Sequence, residues 1–137
     1  MVRARVAAIV AGLVLVGALV AWSNAGSTVR TVDITIHFSH FDASSIAVAP
    51  GETVRFVIHN EDPIDHEFIV GDRYVQLIHE FGTEPSHGAK PGEVSVPAET
   101  TAETTYTFPT TPGGHLQFAC HLPGHYAYGM HGSIVIR

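Results

Sequence analysis

The sequence predicts an all-β domain, a sandwich or barrel of antiparallel strands with one short helical insert, preceded by a hydrophobic leader. Three observations carry that expectation. Apolar and polar residues alternate with period two in short segments between residues 32 and 136, the pattern of half-buried strands. Pro and Gly, 8 and 13 in number, separate most of those segments, as turns between strands require. One stretch in the middle of the chain keeps helical rather than strand spacing.

Arg3 and Arg5 precede an unbroken apolar run from Val6 to Trp22, the charge-then-hydrophobic order of a secretory leader. Ser23, Asn24 and Ala25 supply small residues for cleavage after Ala25, so residues 1–25 read as a signal peptide. The 17 apolar residues also reach the lower limit of the roughly 17–25 that span a bilayer, so residues 6–22 read equally as an uncleaved membrane anchor. Either way the arginines stay inside and residues 26–137 are exported, to a periplasmic, cell-surface or secreted location.

Within that exported domain Val32, Ile34, Ile36 and Phe38 alternate with Asp33, Thr35 and His37 as a first strand. Ile46–Val48 runs into the turn signal Pro50-Gly51, and Val54, Phe56 and Ile58 alternate again. Phe68–Val70 forms the next strand, after the polar loop of residues 60–65. Tyr74, Leu77, Ile78 and Phe81 fall at i, i+3, i+4 and i+7, which predicts a helix over residues 72–80. A loop with Pro85, His87 and Pro91 leads to four more strands, Glu93–Val96, Thr104–Phe108, His115–Ala119 and Ser133–Ile136.

Composition excludes several classes. With 45% hydrophobic and 15% charged residues, the chain is not disordered. The formal charge is −6, and leaving out Arg3 and Arg5 makes it −8 for residues 26–137. No basic cluster exists to bind phosphates, so nucleic acid is excluded as a partner. Such an acidic surface favours docking with a basic one. Cys120 is the sole cysteine. In an oxidising compartment a single thiol needs burial, a partner chain or a metal.

The richest stretch runs from Phe118 to Gly132, where Cys120, His125 and Met130 are spaced Cys-x4-His-x4-Met around Pro123-Gly124. It falls between two predicted strands, so the loop can fold three ligands toward one point while the strands hold its ends. A soft thiolate, an imidazole and a weak thioether suit a metal that is stable as both Cu(I) and Cu(II). A second imidazole would complete a trigonal site with a long axial Met. His66, opening a strand after a polar loop, is the candidate, ahead of His59, His79 and His115. The remaining histidines, His37, His40, His79, His87, His121 and His131, read as surface residues.

These residues resemble the cupredoxins, the small blue-copper proteins, over residues 30–137. The resemblance implies a Greek-key β-sandwich and one type 1 copper per chain, held by His66, Cys120, His125 and Met130. It further implies a monomer that carries single electrons between a protein donor and a protein acceptor outside the cytoplasm, and that is not an enzyme. Glu67 stands where some members carry Asn, and Asn60 is a substitute for the structural part of that Asn. The same loop resembles part of the ligand string of multicopper oxidases, but Ala119 replaces the His before the cysteine and the chain has no His-x-His pair. The surplus of histidines, 10 in all, supports a rival role in binding or buffering copper during copper resistance. A nitrite reductase or oxidase would need further ligands at a subunit interface.

Overall fold

The computed structural model describes residues 29–82 and 90–137. The leader or anchor, the domain boundary after Ala25, and His87 all lie outside the described residues. Among those described, no helix is long and apolar enough to cross a membrane.

The described residues form nine strands and one helix, in chain order β1 (Arg30–His37), β2 (His40–Phe41), β3 (Ser45–Val48), β4 (Thr53–Asn60), β5 (His66–Gly71), α1 (Arg73–Glu80), β6 (Glu93–Val96), β7 (Thr101–Thr107), β8 (His115–Ala119) and β9 (His131–Ile136). One sheet has the order β2-β1-β4-β7 and the other β3-β9-β8-β5-β6. The chain passes back and forth between the sheets, so strands that pair are often distant in sequence. Two pairs are parallel, β1 with β4 and β3 with β9; the others are antiparallel. The sheets are therefore mixed rather than purely antiparallel as the sequence predicts. Alternation dictates which face a side chain takes, not the direction of its neighbour, and a crossover through the other sheet brings a strand back in parallel.

The core lies between the sheets. Ile34, Ile36, Val54, Phe56 and Ile58 face it from one side and Phe68, Val70, Phe118, Ile134 and Ile136 from the other. Phe68 stacks on Phe118 at 5.5 Å between ring centroids, and Phe56 packs against Phe68 at 5.2 Å. Aromatic pairs at such spacing add to what their buried area contributes. Phe118 pairs in register with Gly132, whose missing side chain leaves room for that ring.

β5 does not alternate, because every one of its six residues is buried. It lies between β8 and β6 in the sheet, and α1 packs against it. Two of its residues, His66 and Glu67, are polar and buried at the end where β5 begins.

The helix forms where the sequence places it, but its apolar face is not its buried face. Asp72 caps the N-terminus, accepting from the backbone N–H of Tyr74 and Val75 at 2.9 and 3.0 Å, as an N-cap carboxylate should. Tyr74, Leu77, Ile78 and Phe81 are all exposed, whereas Gln76 is buried. The Gln76 amide nitrogen lies 3.1–3.3 Å from the carbonyl oxygens of Ile69, Gly71 and Gln117. A polar pin, not an apolar stripe, docks this helix. Periodicity reveals a helix face but not which face meets the protein.

Candidate metal centre

Three of the four sequence-predicted ligands converge. The ligand atoms of His66, Cys120 and His125 all lie within 4.8 Å of one another, the sole group of three or more such acidic, His or Cys residues among the described residues. His66 Nδ1 lies 3.2 Å from His125 Nδ1, and Cys120 Sγ lies 3.3 Å from the same nitrogen. His66 comes from the first position of β5, and Cys120 follows β8 directly. The pairing of Ile69 with Ala119 brings those two strands side by side.

The loop between β8 and β9 presents the rest. His125 N–H donates to the Leu122 carbonyl at 2.9 Å, which folds the loop back on itself. Gly124 and Gly129 adopt φ of +87° and +97°, conformations that a side chain would strain. Met130 is buried and is tied on both sides: Cys120 N–H donates to its carbonyl at 3.1 Å, and its own N–H donates to the His125 carbonyl at 3.0 Å. The fourth predicted ligand thus shares the loop's hydrogen-bond frame with the other two. His125 is half-buried while His66 and Cys120 are buried, so the imidazole of His125 is the part of the site nearest solvent.

Burial dominates the electrostatics. It pushes the Cys120 thiol up to about 12; the Glu67 charge pushes the same way, and backbone N–H groups of Leu122 and Glu67 at the sulfur oppose it. Burial likewise lowers His125, with His66 adding to the effect. Both are directions expected when charged forms lose water. The donor set is a thiol and two imidazoles, brought together in a largely buried pocket with a buried thioether residue alongside. That chemistry fits copper in either oxidation state.

Residues around the ligands hold them in place. Glu67, the residue that replaces Asn, accepts the backbone N–H of His121 through Oε1 at 2.7 Å and so straps the loop to β5. Asn60 braces the approach to His66: its amide donates to the carbonyls of Ile64, Val96 and Pro97 at 2.9–3.1 Å. Asp62 is a residue the sequence reading missed. Its buried carboxylate accepts from His66 Nε2 at 2.9 Å. Asp62 and Asp65 both precede His66 by a few residues, and nothing in the spacing tells which turns inward.

Two histidines depart from the surface role expected of them. The side chain of His121 is 1% exposed and that of His79 9%. His121 bonds Glu80 at 2.8 Å and the Gln76 amide oxygen at 2.6 Å, and it stacks on Tyr126. His79 lies on α1 itself and turns toward Glu93 of β6 at 3.3 Å, while His121 is covered by the helix through its bonds to Gln76 and Glu80. Tyr126 packs between His121 and His131, whereas Tyr128 projects into solvent.

A family model described as a cupredoxin-like domain matches residues 9–136. Among curated proteins, a copper-resistant cuproprotein CopI of Rubrivivax gelatinosus is 38% identical over 118 residues, covering 83% of this chain and 70% of the relative. The protein of the same name from Pseudomonas aeruginosa is 29% identical and covers 84% and 80%. Among solved structures, a reduced auracyanin from Roseiflexus castenholzii superposes with a TM-score of 0.65 at 21% identity, covering 79% of this chain and 97% of that one.

Proposed function

The chain belongs to the cupredoxin-like family, and from that premise we propose that it is an extracytoplasmic protein holding one type 1 copper through His66, Cys120, His125 and Met130, and that it serves copper resistance. The observation that carries the ligand assignment is the convergence of a thiol and two imidazoles within 4.8 Å. Bound copper supplies a one-electron couple. The chain's own part is to keep the donors in a single geometry, to exclude water from the sulfur, and to leave His125 half-exposed as the path outward. The copper-resistance role draws its support from the names of the two curated relatives.

A second reading, a soluble or anchored one-electron carrier between protein partners, is favoured by the rigid frame of the loop and the half-buried His125. In neither reading is a bond of a substrate made or broken, so the protein is not an enzyme. The redox partners would meet an acidic surface, the exported part carrying a net −8.

Copper titration of the protein, followed by visible and electron paramagnetic resonance spectra, tests the site. An intense thiolate-to-copper band saturating at one copper per chain is expected, and Cys120→Ser should abolish it. A variant that keeps the colour, or a wild-type protein that binds several coppers weakly with no such band, overturns the assignment. Deleting the coding sequence then separates the two roles. Loss of copper tolerance supports copper handling; unchanged tolerance with loss of an electron-transfer activity supports the carrier.

A further inference from the structure

The carboxylate of Asp62 joins the candidate copper site to the turn between β1 and β2. It is 5% exposed and receives three N–H groups: His66 Nε2 at 2.9 Å, Phe38 N at 2.7 Å and Ser39 N at 2.7 Å. Its own N–H donates to Asn60 Oδ1 at 3.0 Å, and its carbonyl accepts from Glu99 N–H at 3.1 Å. We propose, building on the reading of His66 as a copper ligand, that Asp62 is a positioning residue that locks His66 as an Nδ1 donor and biases the site toward Cu(II).

The tautomer follows from what each group can do. An ionised carboxylate only accepts, so the ring nitrogen facing it carries the hydrogen. A neutral imidazole has one N–H, and with Nε2 protonated the lone pair is left on Nδ1. That nitrogen is the one facing His125 Nδ1 at 3.2 Å. Orientation and tautomer are thereby set by one contact, as is common for metal-ligating histidines whose far nitrogen meets a carboxylate.

The carboxylate is itself held in place by backbone geometry. Phe38 and Ser39 have φ of +52° and +55°, a left-handed pair that few non-glycine residues adopt. Two successive residues in that region point both N–H groups toward Asp62, making an anion cradle. Charge-assisted bonds offset the backbone strain of the turn. The negative charge behind the ring makes Nδ1 a stronger donor, and a stronger donor favours the more highly charged metal state.

Two measurements on the full chain test this. In the metal-free wild-type protein, long-range proton–nitrogen NMR of the imidazoles should show His66 as the Nε2–H tautomer. In the copper-loaded Asp62→Asn variant the charge is gone while the shape is nearly kept. Losing such a partner typically costs 10–100-fold in metal affinity; a tenfold loss confined to Cu(II) raises the one-electron reduction potential by about 59 mV. A merely structural role would weaken folding without moving the potential upward. An Nδ1–H tautomer in the wild-type protein overturns the inference even if the variant does not fold. So does a normal thiolate–copper band with an unmoved or lowered potential in the variant. Absence of that band in the wild-type protein instead overturns the copper assignment itself, and this inference with it.

Discussion

Cys120 sits in a pocket that has already removed its sulfur from water, which raises its thiol to about 12. Near neutral pH the metal-free protein therefore keeps the thiol proton, and a thiolate ligand forms only when a metal displaces it. The sign follows directly: lowering the pH adds competing protons, so copper binding weakens in acid. One proton should be released per copper, and apparent affinity should fall about tenfold per pH unit across the neutral range. Calorimetry in buffers of different ionisation enthalpy, together with chelator competition, measures both; pH-independent binding would mean that Cys120 is not the ligand. Cys120, His125 and Met130 were legible as residues because one short loop holds all three at regular spacing. His66 was legible by its place at a strand start. Asp62 was not, since its role depends on a left-handed turn at Phe38 and Ser39 that neither residue type announces.

Among the described residues, eight of the nine strands fall on segments that the sequence marks as strands, most by period-two alternation; β5, buried on both faces, is the exception. The two-residue β2 (His40–Phe41) is too short to carry a period, and the parallel pairings depend on crossovers that alternation does not encode. The close approach of β8 and β9 gives a sharp test of the packing. A methyl group added at Gly132 would overlap the fully buried Phe118 ring, and overpacking of this kind costs about 1–3 kcal/mol. Gly132→Ala should lower the unfolding free energy of the metal-free protein, read from denaturant titration, by that amount; an unchanged value would show that the two strands can part freely. For α1 the expected cost lies in the polar pin. Gln76→Leu leaves three carbonyls and His121 without their partner, a loss of about 1–3 kcal/mol. Truncating the exposed Leu77 to Ala should cost far less. The same denaturation experiment ranks the two, and the reverse order would return the apolar face to the role that its periodicity implies.

The whole molecule is acidic and relies on carboxylates that are ionised in the fold. The hydrogen bond from Arg30 to Glu52, 2.5 Å long, holds that carboxyl below its ordinary range. Burial alone would raise Glu93, but Lys90 and His79 outweigh it and lower it. A lowered carboxyl means that the unfolded chain binds protons first, so stability is full above the ordinary glutamate value near 4.5 and is lost as pH falls below it. Thermal melts of the metal-free protein should decline gently from pH 7 to 5, as the unfolded chain takes up the proton that buried His125 resists, and drop steeply below about pH 4. A melting temperature that stays flat to pH 3 would remove these two groups from the account.

The register of β8 and β9 closes at Ala119 with His131, so residues 120–130 form one loop whose two ends, Cys120 and Met130, are rooted in the core. Three of the four candidate ligands travel on it, while the stacked phenylalanines that bear the stability stay behind. Entropy sets little penalty on its length, about 0.6 kcal/mol for each doubling. A change of length in its exposed middle, at Pro123-Gly124 or over residues 127–129, therefore alters the surroundings of His125 while both anchored ends and the stacked rings stay in place.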